Sequence, residues 1–174
     1  MRSTTVGSRL LALTITVMAV GCSSDEQGRD FTVPKALCGV SVPTTALSDL
    51  LPPVGKNISV SEGTATDDSG AGCEVKVDGS EVLSVERQRV EATRSAWNIA
   101  SYDHGIGQVK SAANDSIAYV DRAAVSVVKC GESSNKDEAI STYIRTLKPG
   151  RQDESAMQSL ISGYTTTFKK QNPC

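Results

Sequence analysis

The chain predicts an α+β domain, with an antiparallel sheet of about five to six strands packed against two to three helices and stapled by disulfides. Three observations carry that expectation. Alternating segments flank Asp78-Gly79-Ser80 and Asp121-Arg122 as antiparallel strand pairs would, an apolar stripe from Met157 to Phe168 has helical spacing, and four cysteines follow an N-terminal export segment.

The export segment comes first. Arg2 and Arg9 form a basic start, Leu10 to Val20 an apolar run, and Ala19-Val20-Gly21 a small-residue approach to Cys22. The run is too short for a permanent membrane helix, which needs roughly 17–25 residues. Residues 1–21 therefore read as a signal peptide. Residues 19–22 resemble the lipobox of bacterial lipoproteins, with Ala19 where that motif usually has leucine. The resemblance implies that the Cys22 thiol takes a diacylglyceryl group, that Cys22 becomes the new N-terminus, and that acyl chains such as palmitate anchor the protein to the membrane. An ordinary secretory cut near Ala19 or Gly21 is the alternative. Ser23-Ser24-Asp25-Glu26-Gln27-Gly28 has the composition of a solvated tether, so residues 22–33 read as a lipidated linker and 34–174 as one extracytoplasmic domain.

Cleavage leaves about 150 residues, enough for a single core. The sequence holds 18 Lys plus Arg against 20 Asp plus Glu, and Arg2 and Arg9 leave with the signal. No long block of one sign appears, and nothing suggests a nucleic-acid partner. Aromatics are 4% of the chain, so Val, Ile, Leu and Ala must build the core.

Cys38, Cys73, Cys130 and Cys174 remain after Cys22, an even number in an oxidising compartment, which argues for two disulfides. Three connectivities are possible. Cys38–Cys73 with Cys130–Cys174 is preferred because each closes a moderate loop within one half of the chain, for about 4 kcal/mol on the chain-entropy account. The cysteines form no C-x-x-C and the sole histidine, His104, has no thiol nearby, so neither a metal nor a cofactor is expected.

Thr44 to Leu51 reads as a short helix, entered at Val42-Pro43, lined by Leu47, Leu50 and Leu51 and stopped by Pro52-Pro53. Asn57 to Ser61 alternates as a half-buried strand does, and Glu62 to Gly72 is a polar loop. The Cys73–Val77 and Glu81–Val90 hairpin is expected to use a three-residue loop, which places Cys73, Val75 and Val77 on one face with Leu83 and Val85. Thr93 to Ser101 reads as a helix capped by Thr93, with Trp97 and Ala100 inward. Ile106 to Val109 is unassigned. Ser116–Val120 and Ala123–Cys130 read as paired strands, with Val125 and Val127 on one face. Residues 131–138 form a charged loop. Ala139 to Leu147 suits either helix or strand, and the strand is preferred because Pro149-Gly150 then turns the chain into the last helix. That helix carries Met157, Leu160, Ile161, Tyr164 and Phe168 inward, Asp153 and Glu154 at its positive end and Lys169 and Lys170 at its negative end.

Chemistry-bearing motifs are sparse. His104-Gly-Ile-Gly107 has the look of an esterase backbone-donor loop, but the chain has no G-x-S-x-G elbow, and Gly39-Val-Ser41-Val-Pro43 is the nearest miss. Gly105 and Gly107 lack the third glycine of a dinucleotide fingerprint. Asp67-Asp68-Ser69-Gly70 lacks the alternating ligands and closing glutamate of a calcium loop. Trp97 and Tyr102 could line a groove, although a lone tryptophan on a helix is more often core. Arg87, Arg89 and Arg94 form the one basic cluster, suited to a sheet face opposite acidic loops or to anionic headgroups or wall polymer.

The lipobox, the early Cys38, the strand ending Val128-Lys-Cys130 and a terminal helix closed by Cys174 are together similar to small actinobacterial membrane lipoproteins of unknown function. The resemblance implies an exported α+β domain and supplies no catalytic residues. The expected function is a lipid-anchored binding or interaction module without catalysis, facing an envelope protein, wall polymer or small ligand. The alternatives are an exported hydrolase using His104 and a chaperone-like envelope assembly accessory that uses a sheet edge such as residues 57–61.

Overall fold

The structure, a computed structural model, describes residues 28–63, 72–131, 136–171 and 174. Cys22, residues 1–21 read as a signal, and most of the stretch 62–72 read as a polar loop, with Asp67-Asp68-Ser69-Gly70, lie outside the described residues.

The chain runs β1 (Ala36–Leu37), β2 (Val40–Ser41), α1 (Thr44–Leu50), β3 (Ile58–Gly63), β4 (Gly72–Val77), β5 (Ser80–Glu91), α2 (Ala96–Asn98), a π-helical turn (Ile99–Asp103), β6 (Lys110–Ala112), β7 (Ile117–Tyr119), β8 (Ala123–Lys129), β9 (Glu138–Thr146) and α3 (Glu154–Lys170). β1 and β2 pair alone. The others make one seven-stranded antiparallel sheet in the order β3-β4-β5-β9-β8-β7-β6. The class is the expected α+β, with a sheet longer than five to six strands because β6, invisible in the sequence pattern, extends it. The stretch 139–147 is a strand, and its nine residues lie at the centre of the sheet.

Alternation along the strands sorts their side chains onto two faces. One face sends Val75, Leu83, Val85, Ala124, Val128, Ile140 and Ile144 against α1 and the Met157–Phe168 stripe of α3. The other sends Ala118, Ala123, Val125, Val127 and Ala139 against Ala96, Ile99 and Ala100. Three layers result, with α1 and α3 on one side and the short α2 segment on the other.

The central hairpin departs from its expected loop and keeps its expected face. Asp78 and Gly79 both have positive φ, 48° and 83°, and form a two-residue turn instead of three. A bulge at Val82 takes up the residue that the shorter turn leaves over, so Val75 still pairs with Leu83 and Cys73 with Val85. Val82 is buried as well, and its carbonyl accepts the Leu147 N–H at 2.9 Å. The Asp78 carboxylate accepts N–H groups of Asn57 and Lys56, which ties the start of β3 to this turn and holds its pKa below the usual carboxylate range.

The α2 helix begins later than expected. Its cap is Ser95, whose hydroxyl accepts the Asn98 N–H at 3.1 Å, in place of Thr93. Ala100 faces inward as expected, but Trp97 turns outward and is 40% exposed. The physical reason is the partner surface: Ala118, Ala123 and Ala139 bring the helix close to the sheet and leave no room for an indole. At the other end of the chain, Asp153 caps α3 by accepting the Ala156 N–H at 2.8 Å, and Lys169 and Lys170 occupy its last turn.

Both disulfides form in the preferred pairing, Cys38–Cys73 and Cys130–Cys174. Arg29 lies against the C-terminal end of α1, donating to the carbonyls of Ser48, Leu51 and Pro52 at 2.8–3.2 Å. The chain therefore meets the domain beside Gly55, to which Arg29 is bridged, at the same end as the Asp78-Gly79 turn.

Candidate functional site

One concavity among the described residues arises because one strand outruns its neighbour. β7 starts at Ile117, opposite Ser126, whereas β8 continues to Lys129. Val127 donates its N–H to the Ser116 carbonyl at 2.9 Å, the last bond on that side among the described residues. Peptide groups alternate sides in an antiparallel ladder, so Lys129 presents its own to the same side, where no strand follows. The connection from β6 leaves the sheet through Ala113, Asn114 and Asp115, three successive non-glycine residues with φ of 52°, 54° and 60°. Left-handed backbone costs such residues about 1–2 kcal/mol each. The turn is held by the Asp115 carbonyl accepting the Ala96 N–H at 3.2 Å and by the Ser116 hydroxyl bonded to the Ala113 carbonyl at 2.8 Å.

The space so opened is a cavity of about 690 Å³, walled by this turn, Thr93 to Ser95, the end of β8, the end of α3 and Cys174. Among the described residues its charged side chains are those of Arg94, Lys129, Lys169 and Asp115. Arg94 is paired with Asp103 at 2.8 Å. This size suits a small ligand or one segment of a polymer.

A second, smaller cleft of about 200 Å³ lies on the open polar face of the sheet. Tyr143 from β9 forms its floor, and the His104 ring stacks on it with centroids 3.7 Å apart. Arg145 lies 6.0 Å from the Tyr143 centroid and donates to the Ser84 hydroxyl. Burial pushes the His104 pKa down; Glu86 and Asp103 push it back up more weakly, and Arg145 adds to the lowering. The Tyr143 pKa is raised, again mainly by burial. Ser141 and Glu86 line the same cleft, so folding does bring His104 near a serine and a carboxylate. Its ring contact, however, is the face of Tyr143.

The expected basic cluster is dispersed. Arg87 lies over the Phe168 ring at 5.2 Å, Arg89 pairs with Glu138 at 2.7 Å, and only Arg94 reaches the large cavity. Trp97 and Tyr102 form an edge-to-face pair at 5.9 Å, the latter 75% exposed. Among the described residues no cluster of His, Cys, Asp or Glu could hold a metal ion, and no helix is long and apolar enough to cross a membrane. The cavity residues Lys129, Lys169 and Asp115 carry no motif. They lie far apart in sequence and meet only because β8 outruns β7.

No family model matches the chain, and neither curated proteins nor solved structures include a significant match.

Proposed function

We propose that the protein is a lipid-anchored extracytoplasmic binding module without catalysis, held to the membrane's outer face through Cys22, and that it binds in the cavity at the end of β8. The single observation carrying the binding role is that cavity: about 690 Å³, walled by five chain segments and rimmed by strained backbone. The export segment and the resemblance to actinobacterial lipoproteins support the location. Gly131 lines the cavity, and a Cβ there would meet nothing within 4 Å among the described residues. Gly131→Trp should therefore fill the site without disturbing the fold. A photocrosslinker at Ser116 is expected to capture an envelope component in cells, with the adduct reduced at least tenfold by Gly131→Trp and absent from a crosslinker at Glu81. Capture that ignores the tryptophan would refute the site.

Cys22→Ala is expected to release the protein from the membrane fraction or leave an uncleaved precursor. Normal maturation with undiminished membrane retention would refute the anchor. An envelope-assembly role has one observation in its favour, since β3 is an edge strand with Val60 exposed. A hydrolase using His104 has the proximity of Ser141 and Glu86 in its favour, and is the weaker reading because the imidazole lies flat on Tyr143.

A further inference from the structure

We infer that the cavity at the end of β8 takes a phosphate-bearing polymer on the side of the domain away from the membrane, an assignment that rests on the binding-module reading and names its ligand. Three cationic residues from three different elements line the cavity: Arg94 from the loop before α2, Lys129 from β8 and Lys169 from α3. Lys129 and Lys169 form no ion pair among the described residues, whereas Arg94 shares its charge with Asp103. Among the described lining residues Asp115 is the one acidic side chain, and Cys174, the last residue of the sequence, adds its main-chain carboxylate. The protein as a whole is acidic, at −2, so this concentration of positive charge runs against the background. The peptide N–H of Lys129, on the side of β8 that β7 leaves open, adds a donor suited to an anionic oxygen.

Besides the carboxylates in the lining, two groups oppose an anion. The carbonyls at the end of α3 are the negative pole of that helix, and Glu91, Asp137 and Glu138 lie in the neighbouring shallow groove, where Glu138 is engaged by Arg89. An isolated small anion therefore gains little. A chain of phosphates, which places several charges along Arg94, Lys129 and Lys169 at once, gains from all three.

The sheet register sets the direction. Lys129 pairs with Ala139, which pairs with Val90, ten residues along β5 from Ser80 at the Asp78-Gly79 turn. At the rise of a strand this is about 33 Å. The chain from Cys22 meets the domain at the opposite end, beside Gly55, after a segment that can span at most about 25 Å. The anchored end and the cationic cavity thus lie at opposite poles. That arrangement favours a polymer beyond the membrane over the lipid headgroups beneath it.

The sole tryptophan, Trp97, stands two residues from the cavity-lining Ser95 and reports on the site. The full chain in neutral phosphatidylcholine nanodiscs is titrated with inorganic polyphosphate of about ten units, with a neutral glucan of similar length as the comparison. A saturable change in Trp97 fluorescence is expected with polyphosphate, weakening as salt is raised. Lys129→Gln with Lys169→Gln should weaken it at least tenfold, and Lys35→Gln with Lys56→Gln, an equal loss of charge elsewhere, should not. Equal weakening by both pairs, or none by either, overturns the inference. Saturable glucan binding without polyphosphate binding, with cellular capture still blocked by Gly131→Trp, overturns the anion and leaves the binding module standing. No binding of either probe, together with capture indifferent to Gly131→Trp, overturns both. If phosphatidylglycerol in the disc alone gives the lysine-dependent change, the anion is a headgroup and the polymer assignment fails.

Discussion

Replacing Cys38 and Cys73 together by alanine is expected to lower unfolding stability by about 4 kcal/mol, read from denaturant midpoints without reductant. The bridge closes a 35-residue segment and joins the β1–β2 hairpin to the sheet core. Both cysteines are buried, and Cys73 lies opposite Val85 in the layer under α1 and α3. Cys38 also occupies the turn of its hairpin, where it and Gly39 have φ of 49° and 74°. Alanine at 38 keeps the left-handed cost of that turn after the bridge is gone, whereas glycine removes it. Cys38→Gly with Cys73→Ala should therefore lose about 1 kcal/mol less than the double alanine variant. Equal losses would show that the hairpin turn relaxes once it is unpinned, and a total loss below about 1 kcal/mol would show that the bridge adds little to the packing around it.

Local chemistry made much of this fold legible. The Asp78-Gly79 signal, the Met157–Phe168 stripe and the spacing of four cysteines each specify a short-range arrangement, and each is found. The hairpin shows how such a signal can be right about the face and wrong about the loop. Burial of Val75 with Leu83 fixes the register, and a bulge at Val82 absorbs the residue that the shorter turn leaves over. Trp97 shows the opposite failure. Its hydrophobicity argues for burial, but the alanines of β7, β8 and β9 that exclude it are scattered along the chain. The candidate site was the least legible part for the same reason. A cavity made by one strand outrunning another has no periodicity of its own, and its lysines read in sequence as ordinary surface charge.

The layer beneath α3 yields a prediction that a contact count would reverse. Tyr164 is fully buried among Met157, Leu160, Ile161 and Phe168, yet its hydroxyl has no hydrogen-bond partner among the described residues, and nor do those of Thr142 and Ser126, which pair across β8 and β9. A buried unpartnered hydroxyl costs about 1–3 kcal/mol in desolvation, so Tyr164→Phe, which keeps the ring and its stacking on Phe168, should be neutral or stabilising near pH 7. Burial also pushes the Tyr164 pKa up to about 12 from 10.0, partly opposed by the charge of Arg87. Ionisation is therefore easier in the unfolded chain. Stability from this group is complete below pH 10 and is lost as pH rises toward about 12, at about 1.4 kcal/mol per pH unit. Other groups titrate in the same range, but they cancel when wild type is compared with Tyr164→Phe. The variant should gain on the wild type from pH 10 upward, by about 2–3 kcal/mol in all. Parallel stability curves above pH 10 would mean that Tyr164 ionises as readily in the folded protein as in the unfolded chain. Either α3 then lifts to let water reach the ring, or a donor absent from the apolar stripe already stabilises the phenolate.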